Sequence, residues 1–413
     1  MMCEQMVFPA EMSSVIQAGS PFVLLDTARP LGDEQTSYLF HDPVEILTAF
    51  GPDDVSCLYA NVERALDRGL YVAGWWSYEW GYALIPRLNY LLDVHCPEGP
   101  LVWIGVFERP VMWKASGDLP ADQAMGPVGP GPLTGVFSDG PRLDTDRSEF
   151  MDAVGAVQDY IRQGDTYQVN YTVRSRFSFA GDPLDLYLRL RSVQAVSYGA
   201  VVRTDDRWVL SLSPELFFHR QRDRIWSKPM KGTVARGKTP EQDRALRGFL
   251  ENDLKNRAEN VMIVDLLRND LGMIAQTGSV RVPQLFHVEA YETLFQMISR
   301  IEARLREGVR WIDIFQALFP CGSITGAPKL RTMEIISELE TSPRGIYTGS
   351  IGFISPDNHA VFNVAIRTLE LFGNRGVMGI GSGITIGSDP AAEYEETRLK
   401  ARFLQRVVMR DAA

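Results

Sequence analysis

Between Lys114 and Arg142 the chain loses every trace of apolar periodicity. The run Gly126-Pro127-Val128-Gly129-Pro130-Gly131-Pro132 cannot continue a helix or an interior strand. Such a stretch reads as a connection, so the fold must be built from the residues on either side of it. The division predicts an N-terminal subdomain over 1–113, a Gly/Pro-rich linker over 114–142 and a larger domain over 143–413. A chain of 413 residues with 45% hydrophobic and 23% charged residues can bury a large core and has the composition of an ordinary globular protein.

In the first part, Phe22-Val23-Leu24-Leu25-Asp26 reads as a buried strand, Val55 to Gly69 as a short helix and Leu101 to Phe107 as a second strand. The aromatic run Val72 to Gly81 reads as core or as the lining of a regulatory pocket. In the second part, Phe150, Val154, Val157 and Ile161 share one helical face that Gly164 closes, and Thr166 to Val173 alternates as a strand. Gly199 to Arg203 and Trp208 to Leu212 are further strand candidates. Thr239-Pro240-Glu241-Gln242 opens a long helix that carries Glu259 towards Asp270. Helices are expected over 290–306 and 310–319, and strands over 349–355 and 360–371. Asp389 caps a final helix ahead of Pro390.

Three places carry chemistry. Trp226-Ser227-Lys228-Pro229-Met230-Lys231-Gly232-Thr233 reads as a strand over Ile225 to Met230 broken by Gly232, which leaves Lys231 at a strand end. A lysine is a nucleophile only without its proton, which at pH 7 requires a bias of roughly 4–5 kcal/mol; desolvation in a closed pocket supplies that much. Glu393, Glu396 and Lys400 share one face of the final helix. With a further carboxylate such as Glu259 they could hold Mg²⁺ through hard oxygens, or they form a salt-bridged solvent face, since Glu396 and Lys400 stand four apart. Cys321-Gly322-Ser323-Ile324-Thr325-Gly326-Ala327-Pro328-Lys329 turns into a helix whose free N–H groups suit an anion.

The formal net charge is −10 with no basic block, which argues against nucleic acid or an anionic membrane as partner. Cys3, Cys57, Cys96 and Cys321 are scattered without CxxC spacing, so a zinc site or disulfide framework is not expected and a reducing cytoplasm is. No window has the ~20 apolar residues of a membrane span.

From about Gln158 to Lys400 the chain resembles the chorismate-utilising enzymes. The match is carried by Val264-Asp265-Leu266-Leu267-Arg268-Asn269-Asp270, by Gly322 through Lys329 and by Ala391 through Lys400, in the family's order. The N-terminal stretch, with Leu24-Leu25-Asp26 and Gly74-Trp75-Trp76-Ser77-Tyr78, is similar to the amino-transferring members. The resemblance implies an α+β fold of two large antiparallel β-sheets packed as a sandwich, with outer helices and a chorismate site in the catalytic domain 143–413. It implies that Glu259 and Glu396 bind Mg²⁺, with Glu393 close by through water. By the same resemblance Arg367 and Tyr347 grip the enolpyruvyl carboxylate, and Gly381, Gly383 and Lys400 face the ring carboxylate. Ser323 lies in the substrate-binding run, and Glu215 sits where a general acid protonates the departing C4 hydroxyl.

Two positions sort members of the family. Gln168 stands where the water-adding members carry a lysine base, and a glutamine amide cannot take that proton. Anthranilate synthases resemble Pro-Ile-Ala-Gly-Thr at Pro229 to Thr233, whereas aminodeoxychorismate synthases carry the lysine found here as Lys231. Phe295-Gln296-Met297 replaces the histidine of anthranilate-type members. The implied reaction is attack of neutral Lys231 on C2, loss of the C4 hydroxyl and ammonia attack at C4, giving 4-amino-4-deoxychorismate for 4-aminobenzoate and folate. The glutaminase of the family would need roughly 200 further residues, so ammonia from a separate glutaminase subunit is expected. Anthranilate formation and a non-catalytic chorismate- or tryptophan-binding paralogue are the alternatives.

Overall fold

The computed structural model describes residues 12, 15, 18–30, 35–114, 135–291 and 294–401. Two antiparallel sheets, each of ten strands among these residues, pack face to face with helices outside. The first sheet runs in space as Gly326–Ala327, Gln168–Ala180, Arg375–Ile384, Thr368–Phe372, Trp208–Ser213, Tyr198–Arg203, Phe22–Asp26, Thr36–His41 and Val111–Lys114. The second runs as Met230–Ala235, Leu294–Arg304, Arg224–Lys228, Leu216–Gln221, Ala360–Asn363, Ser350–Ile354, Tyr71–Trp76, Val102–Phe107 and Glu45–Ala49. Val136–Leu143 and Arg281–Ala290 add one further strand to each, on Gln168–Ala180 and Leu294–Arg304. The expected sandwich is the observed fold.

The described residues of the expected N-terminal subdomain extend both sheets. Phe22 pairs with Arg203 in the first sheet, and Trp76 pairs with Ser350 in the second. Of the expected linker, residues 115–134 lie outside the described residues. Its end is the strand Val136–Leu143, whose register against Gln168–Ala180 shifts twice, around Asp139 and before Arg142, where Gly140-Pro141 interrupts the ladder. The aromatic run is core: Trp75 stacks on Trp103 with centroids 5.3 Å apart, among Val23, Ala200 and Val202 of the facing sheet.

Three expectations change. The stretch 290–306 is not a helix; Leu294–Arg304 is a strand, because Phe295, Met297, Ile301 and Ala303 fall on one side of a two-residue alternation that the helical reading overlooked. The long helix breaks at Asp253, whose carboxylate accepts from Asn256 N at 2.9 Å and starts Leu254–Gly272 afresh after Pro240–Asn252. The strand expected over 360–371 is two strands, Ala360–Asn363 in the second sheet and Thr368–Phe372 in the first. The chain crosses between sheets at Val364 to Arg367, and Arg367 makes the turn with a left-handed φ of 52°.

Candidate active site

The crossing positions the first two site residues. Val364 N donates to Glu215 O at 3.0 Å, and Leu212 N donates to Arg367 O at 3.0 Å. Glu215, 4% exposed, thus enters the interior just ahead of Leu216–Gln221, while Arg367, at the end of the crossing, lies within electrostatic reach of it. Burial pushes the Glu215 carboxyl up; the Ser323 hydroxyl, Lys231, the Met230 N–H and Arg367 oppose that shift. Burial also pulls the Arg367 guanidinium down, with Tyr291 and Glu215 acting against it.

Lys231 does not follow a Gly-terminated strand. The break comes at Pro229, which has no N–H to donate, between Arg224–Lys228 and Met230–Ala235. The register against Leu294–Arg304 then shifts between Met230 and Thr233, and Gly232 takes a φ of 90° inside this bulge. A Cβ there would lie 2.9 Å from Asn256 Oδ1, so the position suits glycine on both counts. The bulge directs Lys231 to the short turn Gly322–Ile324, where its Nζ donates to Ser323 O at 2.8 Å. Burial lowers the Lys231 pKa, while Glu215 and Glu259 resist that change.

Ser323 serves both groups, since its Oγ donates to Glu215 Oε1 at 2.7 Å. Gly322 before it packs closely under Leu266, whose Cδ2 would stand 2.4 Å from a Cβ and would have to shift. Lys329 anchors the same run through an ion pair with Asp270 at 2.5 Å and a hydrogen bond to Leu318 O at 2.9 Å. Two of the three sequence runs that carry the resemblance therefore meet in space through Lys329 and Asp270.

The strand pair Gln168–Ala180 and Arg375–Ile384 forms the facing wall, with Gly383 opposite Asn170 and Gly381 opposite Thr172. A Cβ on Gly383 would sit 3.0 Å from Gln168 Nε2 and 4.0 Å from Lys231 Nζ, so this glycine borders the space around the amine. Gln168 is 1% exposed, and its Oε1 has no hydrogen-bond partner among the described residues. Tyr347 lies against Gly379 and Gly381, where a Cβ on Gly381 would be 3.1 Å from its hydroxyl; burial pushes its pKa up to about 12. Tyr347 thus faces the glycine wall, whereas the electrostatic neighbours of Arg367 are Tyr291 and Glu215.

The acids of the final helix, Pro390–Ala401, are more dispersed. Lys400 Nζ donates to Gly381 O at 2.9 Å and pairs with Glu396 at 2.8 Å. Glu393 accepts from Ser388 Oγ at 2.9 Å and, across the cleft, adds to the upward shift that burial imposes on Glu259. Among the described residues no three His, Cys, Asp or Glu side chains gather closely enough to hold a metal by themselves. Two facing carboxylates with hard oxygens and open positions nonetheless fit a Mg²⁺ that keeps several waters and takes its remaining ligand from substrate.

Sequence reasoning missed Asn170, Cys321 and Tyr291. Asn170 was legible, since it shares its strand face with Gln168 and Thr172. Cys321 Sγ lies 3.2 Å from Ser323 Oγ, and burial lifts its thiol to about 12, so it lines the site as an un-ionised group. Nothing in the sequence around Tyr291 marks its approach to Arg367.

A profile of the chorismate binding enzymes matches residues 130–406. Anthranilate synthase component 1 1 of Haloarcula marismortui is 44% identical over 265 residues, 64% of this chain and 54% of its own length. Aminodeoxychorismate synthase component 1 of Bacillus subtilis is 42% identical over 259 residues, 63% of this chain and 55% of its own. The chain thus spans about half the length of these curated relatives. The crystal structure of anthranilate synthase component I from Streptococcus pneumoniae superposes with a TM-score of 0.76 at 24% identity, covering 91% of this chain and 93% of that one. No helix among the described residues is long and apolar enough to cross a membrane.

Proposed function

The chain belongs to the chorismate binding enzymes, and we propose that within that family it converts chorismate and ammonia to 4-amino-4-deoxychorismate. The observation that carries this reading is the bridge at Ser323, which holds the Lys231 amine on its carbonyl and the Glu215 carboxyl on its hydroxyl. Burial drives the lysine towards its neutral form and the glutamate towards its protonated form. These two shifts favour the same state, an uncharged pair, because moving one proton from ammonium to carboxylate removes two charges from a poorly solvated site. That state contains a nucleophile and an acid.

In the proposed sequence the Lys231 nitrogen bonds to C2 of the ring as the C4–oxygen bond breaks. Both conjugated double bonds of the ring move by one position, carrying the electron pair round the ring from C2 to C4, and the hydroxyl leaves as water with the proton of Glu215. Ammonia then bonds to C4 while the C2–nitrogen bond breaks and returns the electron pair to Lys231. A proton shed by the incoming nitrogen restores the acid. The hydrogen bond to Ser323 O fixes the amine without occupying its lone pair. Arg367 and Lys400 supply positive charge for the substrate carboxylates; Tyr347 is a further polar contact, and Gln168 Oε1, without a partner among the described residues, can accept from a substrate hydroxyl. Gly381 and Gly383 let the ring approach the backbone.

Glu259 and Glu393 would hold Mg²⁺, with water and substrate in its remaining positions; Glu396, expected as a ligand, would join only by leaving its pairing with Lys400. When bound, the ion supplies Lewis-acid neutralisation of a substrate carboxylate. A separate glutaminase delivering ammonia in a cytoplasmic setting completes the reading; component 1 in the names of the relatives is consistent with a second component. Identity alone does not choose between the anthranilate and aminodeoxychorismate branches, since relatives of both kinds match equally well. The deciding experiment is product identification from chorismate, Mg²⁺ and ammonia by mass and fluorescence. The 4-amino product is expected; anthranilate as the main product overturns the assignment.

A further inference from the structure

Away from Lys231, a cavity of about 700 Å³ opens between the second sheet and the strand Thr36–His41 of the first. Four arginines line it, Arg224, Arg281, Arg300 and Arg304, with Glu302 as the lining carboxylate. Register puts them on one face: Arg224 stands opposite Arg304, and Glu302 lies between Trp226 on one side and Arg281 on the other. Arg300 reaches Glu302 at 3.5 Å, and Arg304 reaches Asp223 at 3.5 Å. Arg224 and Arg281 make no ion pair among the described residues. Among the described residues the cavity lining therefore carries more positive than negative charge, in a chain whose net charge is −10.

The remaining wall is polar and aromatic. The Nε2 atoms of His219 and His359 stand 3.1 Å apart, and His219 stacks on Trp226 at 3.9 Å. The Trp226 indole N–H is buried and has no hydrogen-bond partner among the described residues. Like charges set directly opposite one another weaken a sheet, and Asp223 at 3.5 Å offsets only the Arg304 member of the Arg224–Arg304 pair. A bound anion would offset the other.

We propose that this cavity is a second binding site, taking a small, multiply charged oxyanion that bears phosphate or carboxylate groups. The volume lies within the range of about 300–1,000 Å³ typical of small-molecule sites. Guanidinium forks match both oxyanions, and the Trp226 N–H adds an uncharged donor. The site shares a stretch of chain with the catalytic one, since Trp226 and Lys231 lie in consecutive strands separated only by Pro229.

The test uses the full chain without Mg²⁺, titrated calorimetrically with pyrophosphate and with citrate at constant ionic strength set by chloride. Saturable binding of either anion is expected, and which one binds more tightly separates a phosphate from a carboxylate ligand. Arg224→Gln with Arg281→Gln should weaken it at least about tenfold, while Lys231→Ala should leave it intact. Each arginine is also replaced singly, with circular dichroism as the folding check, so that a fold defect in the pair does not mask the result. Absence of saturable binding overturns the proposal, as does undiminished binding in the folded arginine variants. Displacement of the anion by chorismate also overturns it, because the anion would then occupy the catalytic site.

Discussion

Lys231 and Glu215 meet through one residue: the amine donates to the Ser323 carbonyl at 2.8 Å, and the Ser323 hydroxyl donates to the carboxyl at 2.7 Å. They come from different places, one from a bulge in an edge strand and one from the crossing between sheets, and neither is fixed by its immediate neighbours in sequence. Their chemistry depends on this third segment bridging a half-buried amine and a buried carboxyl.

If Glu215 is the acid, Glu215→Gln should lower kcat by about 10²–10⁴ while the fold is kept. Ser323→Ala is the more discriminating variant. The Ser323 hydroxyl holds the Glu215 pKa down against burial, so its removal raises that pKa further. Because the protonated form is active, the alkaline limb of the kcat profile should move to higher pH. A pH–rate profile checks this, and an unmoved limb counts against Glu215 as the acid.

Gly383→Ala tests the wall opposite the amine. A Cβ there would stand 3.0 Å from Gln168 Nε2 and 4.0 Å from Lys231 Nζ. The expected outcome is a loss of about tenfold or more in kcat/KM with little change in Tm.

Removing one of the facing carboxylates should show in the metal dependence. Glu259→Gln should raise the Mg²⁺ concentration for half-maximal activity by about tenfold or more. An unchanged Mg²⁺ titration would remove Glu259 from the ligand set.

Glu79 links stability to pH. Its carboxyl accepts from Arg344 N at 2.6 Å and Gly345 N at 3.0 Å, yet burial pushes its pKa up to about 7. A folded pKa above the unfolded value, about 4.3, favours the folded state fully below that unfolded value. The advantage is lost as pH rises through about 7, and it amounts to roughly 4 kcal/mol. Denaturant unfolding from pH 4 to pH 8 should show this decline in the natural chain and a flatter profile in Glu79→Gln.

Much of this was legible in the sequence, for definable reasons. The helix Arg147–Gln163 and its Gly164 cap follow from periodicity and a left-handed φ of 85°. Lys231, Glu215, Gln168 and the glycines were picked by motif, and the fold brings all of them to one cleft. What failed was tertiary. Leu294–Arg304 carries an apolar set that also fits a helix, and only its pairing with Arg224–Lys228 and Met230–Ala235 selects the strand. Arg367 looked like a strand interior because the change of sheet at Val364 leaves no mark in composition. The cavity arginines were invisible because they come from three strands whose register sequence does not specify.

The account rests on a covalent bond to Lys231. Incubating the protein with chorismate and Mg²⁺ while withholding ammonia, then measuring intact mass, reads that bond directly. The natural chain should gain the mass of chorismate less one water, and Lys231→Ala should gain nothing. No adduct on the natural chain, or an equal adduct on the variant, would contradict it.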